Sequence, residues 1–420
     1  MEKSNKNKSN EANNIIGKIF FNKYHCIEKV GEGSFGFIYK AEYNGNYYAL
    51  KFEKIHNAQQ FLENEAAIMD YLKGPNIPYI YYYSSDFNYN IMVMQLLGKN
   101  LENIFEEKGK FSLKTVCMIG YQFVSILEYI HNRHIIHRDI KPDNFVLGLN
   151  ELSQYIYILD FGLAKKYRSS KTLEQLPFTN RGKIIGTARY ASINALKGYE
   201  LSRRDDLESA GYVLLYFIKG KLPWQGIITK TKDEKYKKIL EKKEQISSKK
   251  LCEGLPQEFN NFIDYVRNLD YLEQPDYEML RGLFNTMLRK DHNKFDYIYD
   301  WTTYEERLKR RVITPRSEID SFQNKKSTLA SYKNFGDSKE ESSEPLRHLS
   351  IKKNNSNDLS KKDENVKNYN IYIVNTYKKN GEIKEESEEE NIIISNKRGQ
   401  LNSINKKEDE ICCNFECNIF

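Results

Sequence analysis

The sequence predicts an α+β architecture in two lobes of unequal size. A small strand-rich N-lobe is expected over residues 21–97 and a larger helical C-lobe over 98–305, with disordered extensions at 1–20 and 306–420. Three observations carry this reading. Strand-like runs around a glycine turn dominate before Gly98; apolar residues at helical intervals dominate after it. Both ends give up aromatic and aliphatic residues for Lys, Asn, Ser and Glu, a composition that cannot bury enough apolar surface to order itself.

Taken in order, Tyr24 to Val30 and Gly36 to Glu42 read as strands flanking the glycine turn, and Tyr47 to Glu53 as a third. Ala58 to Leu72 has helical character and stops before Gly74-Pro75. Asn90 to Leu96 is a further strand, closed by Gly98. Leu113 to Asn132 is a long amphipathic helix with Val116, Ile119, Phe123, Ile126 and Ile130 on its apolar stripe. The 137–162 region reads as loop and short strand. Asp206 to Gly220 is apolar enough for a buried helix, and helical patterns recur at Asp233 to Lys242, Pro256 to Leu269 and Asp276 to Leu288. The packed region is expected to close near Trp301 to Tyr304.

Composition narrows the function classes. A net charge of +7 on 420 residues suits acidic or phosphorylated partners, and it is too weak and too unclustered to argue for nucleic acid. A solvated surface rich in Lys and Asn explains it equally well. Of the six cysteines, Cys26, Cys117 and Cys252 sit singly in apolar sequence and read as reduced core thiols; no C-x-x-C or Cys/His cluster suggests zinc. Met1 to Asn14 has no apolar signal region, and no run of ~18 apolar residues is present to span a bilayer. The expected location is the cytoplasm, with nothing that bars entry to the nucleus.

The chemistry is concentrated in His137-Arg138-Asp139-Ile140-Lys141-Pro142-Asp143-Asn144 and, about twenty residues on, Asp160-Phe161-Gly162. Together they resemble the catalytic loop and metal-binding triplet of a protein kinase. Phosphoryl transfer needs one carboxylate to orient the attacking hydroxyl and take its proton, and a separate carboxylate and amide to hold Mg2+ on the phosphates. Asp139 fits the first role; Asn144 and Asp160 fit the second, as oxygen ligands for a hard cation. Lys141 can neutralise the γ-phosphate as charge builds, which fits transfer to Ser or Thr. His137 reads as a brace for the loop rather than a base. Arg138 awaits either a phosphate, an acidic side chain or a bound anion.

Gly31-Glu32-Gly33-Ser34-Phe35-Gly36, with Ile38 two residues on, matches G-x-G-x-x-G-x-V. A glycine turn alone is a weak signal. Here a second strand follows, where a dinucleotide fold would place a helix. Gly31, Gly33, Ser34 and Gly36 would bring backbone N–H groups to the ATP phosphates. Lys51, in Tyr48-Ala49-Leu50-Lys51, would hold the α- and β-phosphates, with Glu65 to place it; Glu63 lies on a different helix face. Singly, Lys51 is a solvated strand lysine and Glu65 a surface charge; at this spacing the pair is functional. Ile38 and Ala49 complete the nucleotide set. Met94 would back the pocket, and backbone groups of Gln95 and Leu97 would read the adenine edge.

The segment beyond Gly162 narrows the resemblance. Gly186-Thr187-Ala188-Arg189-Tyr190-Ala191-Ser192-Ile193-Asn194, Ser202-Arg203-Arg204-Asp205-Asp206-Leu207-Glu208-Ser209 and Leu222-Pro223-Trp224-Gln225-Gly226 are similar to the casein kinase 1 family, as is Leu159 to Tyr167. The likeness covers roughly residues 22–305. It implies a bilobal Ser/Thr kinase with a monomeric catalytic domain, active without activation-segment phosphorylation, directed to Ser or Thr shortly after an acidic or phosphorylated residue. The implied substrate anion site is Arg189, Gly226 and Lys235, two cations able to pair with an upstream phosphate. As isolated residues Arg189 is a structural ion-pair partner and Lys235 a solvated helix lysine. The chain departs from the family at Gln95, where the hinge is often acidic, and at Asp233 and Glu234, which put negative charge beside Lys235. Arg181 and Lys183 flank Gly182 where the family has a lysine, and are expected to compensate in part. Asn194 stands where other kinases use a glutamate to brace this segment.

Cys417-Asn418-Ile419-Phe420 fits the C-a-a-X prenylation signal, with Cys412 and Cys413 as palmitate acceptors beside it. Two chains anchor where one binds marginally, so membrane association through the tail is an expectation; chance placement of a cysteine is its alternative. A catalytically weak kinase or pseudokinase that tethers partners at a membrane is the rival function, opposed by intact Lys51, Asp139, Asn144 and Asp160.

Overall fold

Alternation of side chains organises the first part of the chain. In the computed structural model, β1 (Ile19–Phe20), β2 (Tyr24–Gly33), β3 (Gly36–Tyr43), β4 (Asn46–Lys54), β5 (Ile80–Asp86) and β6 (Tyr89–Gln95) form an antiparallel sheet in the order β1-β2-β3-β4-β6-β5. The described residues are 15–33, 36–55, 61–169 and 171–307, with the backbone of 346–352, 366–379 and 382–395. Successive strand residues face opposite sides, and both sides are covered. Phe37, Tyr39, Ala41, Leu50, Phe52, Ile91 and Val93 are buried together on one. Ala49, Met92 and Met94 are buried on the other, in a cluster shared with Leu62, Ala66, Met69 and Leu72. Those four lie along one face of α1 (Phe61–Leu72). The register sets Ile38 and Met92 opposite Lys51, and Met94 opposite Ala49. Ile38, Ala49, Lys51, Met92 and Met94 therefore share the sheet face turned to α1.

The strands expected at residues 24–30, 36–42, 47–53 and 90–96 are present as β2, β3, β4 and β6, with ends moved by a few residues. The helix expected from Ala58 is described from Phe61. β1 and β5 were not foreseen. β1 falls in the 1–20 stretch expected to be disordered, yet it pairs with β2 and Ile15 and Phe20 are buried, so order begins by residue 15. β5 is an edge strand whose register shifts between Ile80 and Tyr82, and Tyr81 and Tyr82 are both exposed, so no alternation marks it.

Helices dominate thereafter: α2 (Leu101–Lys108), α3 (Leu113–Asn132), α4 (Ile193–Leu196), α5 (Arg203–Lys219), α6 (Lys232–Gln245), α7 (Ser248–Leu251), α8 (Gln257–Asn268) and α9 (Tyr277–Lys290). Ser112 opens α3 by accepting from Thr115 N–H. The expected stripe of Val116, Ile119, Phe123, Ile126 and Ile130 is fully buried. Two short hairpin-like pairs, β7 (Ile135–Ile136) with β10 (Lys165–Lys166) and β8 (Phe145–Leu147) with β9 (Ile156–Ile158), hold the loops between them. Phe145 of β8 stacks on Phe123 of α3 at 3.8 Å, which fixes this loop region on the central helix. No helix among the described residues is long and apolar enough to cross a membrane.

The chain divides into Met1–Thr314 and Pro315–Phe420. In the second stretch, β11 (Leu346–Lys352), β12 (Val366–Lys379) and β13 (Glu382–Ser395) pair antiparallel in that order.

Candidate active site

Glu65 sits on the buried stripe of α1, one turn from Leu62 and Met69, and is 3% exposed. From there its carboxylate accepts from Lys51 Nζ at 2.6 Å, and Asp160 Oδ1 lies 3.6 Å from the same nitrogen. Burial opposes the charge on Lys51, but the Glu65 and Asp160 carboxylates more than offset it and raise its proton affinity. Burial likewise opposes the charge on Asp160, and Lys51 foremost holds its carboxyl below the usual range. Glu63, two positions away, is outside the buried face, as helix geometry required.

The catalytic loop converges on Asp139. Its Oδ2 accepts from Lys141 Nζ at 2.7 Å, and its Oδ1 accepts from both the backbone N–H and the hydroxyl of Thr187, each at 2.8 Å. Its carbonyl accepts from Asn144 Nδ2 at 2.9 Å. Thr187 reaches in because Gly186 turns at φ +85°; a Cβ there would lie 2.5 Å from Arg138 O. His137 braces the loop as expected: Nε2 donates to Leu159 O at 3.0 Å, Nδ1 accepts from Asp139 N–H at 3.3 Å, and the ring packs edge-on against Phe161.

Asp206, which the sequence places in the Ser202–Ser209 run and at the start of a helix without a role at the site, holds this loop. Its buried carboxylate accepts from His137 N–H and Arg138 N–H at 2.8 Å each and from His131 Nε2 at 2.9 Å. Burial opposes its charge, but the His131 hydrogen bond and the nearby histidines bring its pKa below the usual value. Burial foremost lowers the proton affinity of His131, and with Nε2 donating to Asp206 its Nδ1 accepts from Tyr277 OH at 2.8 Å. Arg138 takes a positive φ of 68° and donates Nε to Leu163 O at 2.6 Å. Two carboxylates lie in its surroundings, Asp206 and Glu200; Glu200 is buried at 3% exposure and paired with Lys165 at 3.0 Å and with Arg181 Nε.

The residues fit a nucleotide and a divalent cation. Asp160 Oδ1 is buried without a hydrogen-bond partner, as a metal-facing oxygen would be. Asn144 spends its amide N–H on Asp139 O, which leaves Oδ1 as its ligand atom. Gly31 and Gly33 end β2 and Gly36 begins β3, with Gly33 paired to Gly36 and Gly31 to Ile38; Ser34 lies outside the described residues. Gly36 has a second reason to be glycine: an added Cβ would fall 1.7 Å from Phe52 O. Ile38, Ala49 and Met94 share the Lys51 face, as the nucleotide reading requires. Gln95 donates its backbone N–H to Tyr79 O at 2.8 Å, and its side-chain Oε1 accepts from Tyr79 N–H at 3.3 Å, so its backbone N–H is already spent. Leu97 precedes Gly98, whose N–H donates to Leu147 O at 2.8 Å.

Arg189 is half-exposed and lies 3.6 Å from Glu102, with its Nη1 donating to Tyr190 OH at 3.2 Å. Trp224 Nε1 donates to Arg189 O at 2.7 Å and ties the turn ending at Gly226, φ +77°, to this residue. Lys235 is exposed on α6 with no ion pair among the described residues. Its neighbour Glu234 pairs with Lys238 at 3.1 Å instead. Arg181, expected to compensate here, is committed to Glu200. The brace that Asn194 cannot supply comes from α5: Asp205 accepts from Ser192 at 2.7 Å and Asn194 at 3.2 Å, and Glu208 accepts from Ile193 N–H at 3.0 Å. Cys412, Cys413 and Cys417 lie outside the described residues. Thr187, Asp206 and Glu200 were missed because their partners are distant in sequence; only the run of acidic residues opening α5 hinted at Asp206. The family model for the protein kinase domain matches residues 24–294, more than half of the chain.

Proposed function

The chain belongs to the protein kinase family, and from that premise we propose that it transfers the γ-phosphoryl group of ATP to Ser or Thr in acidic or previously phosphorylated protein segments, with Mg2+, in the manner of the casein kinase 1 family. The observation that carries this is the convergence of Lys141 and Thr187 on Asp139. Asp139 is held for an incoming hydroxyl and its proton. Lys141 stays charged beside it, because the Asp139 carboxylate outweighs the burial that opposes that charge. Lys51, fixed by Glu65, binds and orients the α- and β-phosphates, and Asn144 and Asp160 hold the cation. ATP supplies the phosphoryl group and Mg2+ the charge neutralisation on it.

Two further features support the finer reading. Glu200 supplies negative charge among Arg138, Lys165 and Arg181, which favours activity without a phosphate on this segment. Arg189 beside the Trp224–Gly226 turn, with Lys235 exposed on α6, suits an acceptor segment carrying upstream negative charge. The catalytic unit is expected to work as a monomer.

Protein from a kinase-free host, given ATP and Mg2+, should phosphorylate acidic Ser/Thr peptides without pretreatment. Total inactivity until another kinase modifies it would contradict the reading. A primed and unprimed peptide library against wild type and an Arg189→Ala/Lys235→Ala double mutant tests the preference; equal selectivity in both enzymes would remove the anion site.

A further inference from the structure

α6 is a strongly charged helix, and most of its lysines are in solvent. Lys243 is not: it is 0% exposed and shares the buried face with Ile239, four residues earlier. A buried ammonium is costly unless partners replace its water. Here Nζ donates to Ala188 O at 3.2 Å and to Ala191 O, and it lies over the rings of Tyr212 at 4.6 Å and Trp224 at 4.8 Å. Trp224 in turn donates to Arg189 O. Three carbonyls between Ala188 and Ala191 are thus held by side chains from outside the segment. That segment runs directly on from Thr187, which grips Asp139, and contains Arg189.

We propose that Lys243 is a positioning residue for the protein substrate: its ammonium clamps the Ala188 and Ala191 carbonyls and so sets Thr187 and Arg189 against the incoming acceptor segment. This rests on the proposed function and adds to it a residue that no sequence motif marks. The clamp is proton-dependent. Burial brings Lys243 down to about 7, far below an ordinary lysine; Glu208 on α5 opposes this, and Arg267 on α8 adds to it. The other groups around it are accounted for. Tyr212 donates to Glu208 at 2.5 Å and accepts from Arg267 at 2.9 Å, and Glu244 on the same helix pairs outward with Lys197 at 2.8 Å. As pH rises through this value, charge-assisted donors become neutral and weaker, and the clamp loosens. Stability moves the other way. The folded-state pKa lies below the unfolded one, so the unfolded chain binds more protons over this range and the Lys243 contribution favours folding as pH rises.

The test measures KM for an Asp/Glu-directed peptide, whose own charge does not change in the range used, at saturating ATP from about pH 6 to about pH 8.5. Full-length wild type, Lys243→Arg and Lys243→Met are compared. Wild type should show peptide KM rising with pH, Lys243→Arg a flat profile, and Lys243→Met a peptide KM raised about tenfold even at low pH, while KM for ATP stays constant in all three. A wild-type peptide KM independent of pH, the same pH dependence in Lys243→Arg, or a Lys243→Met enzyme with wild-type peptide KM overturns the proposal. Should Lys243→Met fail to fold, the other two profiles decide. A wild type that phosphorylates no acidic peptide at any pH refutes the proposed function itself, whereas an active wild type with unmoved KM values refutes the clamp alone.

Discussion

Replacing Asp206 with Asn tests how the catalytic loop is held. The carboxylate serves three donors, two on Oδ2 and one on Oδ1. An amide has one oxygen. Placed at the Oδ2 position it keeps the His131 and His137 bonds in weaker, neutral form, and its NH2 then meets the Arg138 N–H, donor against donor. Placed the other way it loses two bonds. Hydrogen bonds to a charged group contribute about 1.5–3 kcal/mol each, and a buried donor left unsatisfied adds to the loss, so the substitution should cost about 3–5 kcal/mol. Arg138 gains most freedom, because a non-glycine residue in the left-handed region carries about 1–3 kcal/mol of strain that this bond opposes. At about 2–4 °C per kcal/mol for a large domain, the thermal midpoint should fall by roughly 6–20 °C, and kcat should fall with it. The Asp206 pKa is depressed by folding, so its contribution is present above the unfolded value and is lost only as pH falls through the lower folded value. The deficit should therefore persist at neutral pH and shrink only in strong acid. Circular dichroism melts and initial rates check both. A midpoint within about 2 °C of wild type, with unchanged kcat, would show that Asp206 does not hold the loop.

Removing the Lys51 charge with Lys51→Met, or neutralising its partner with Glu65→Gln, should lower kcat/KM by roughly a hundredfold through misplaced phosphates, with little change in the melting midpoint for the Gln variant. Thr187→Val deletes one of the two donors to Asp139 Oδ1 and should lower kcat about ten- to a hundredfold while leaving KM for ATP unchanged in steady-state assays. Gly186→Ala forces a side chain into φ +85° and to within 2.5 Å of Arg138 O; the expected outcome is lost activity together with a lower midpoint by differential scanning calorimetry.

Much of the site was legible because its chemistry is local. Asp139, Lys141 and Asn144 sit within six residues, Asp160 follows at a short interval, and Glu65 could be preferred over Glu63 by counting around one helix. Such spacings survive folding. The N-terminal strands were legible where both sheet faces are buried, and β5 was not, because an exposed edge imposes no alternation on its tyrosines.

What the sequence by itself determined was the protein kinase family, the candidate residues of its site and the order of strand-rich and helical parts, since residue type and short-range periodicity encode those directly. What only the tertiary structure decided was which distant side chains finish the site. Asp206 meets residues 68 and 69 positions earlier, and Thr187 meets Asp139 across 48. Lys243 is one more lysine in a lysine-rich helix until α6 packs it beneath Ala188 and Ala191. A charged residue looks the same in sequence whether water or a carbonyl will satisfy it; packing makes that choice, and with it decides which charges lie against the Asp139 loop and beneath the Ala188–Ala191 segment.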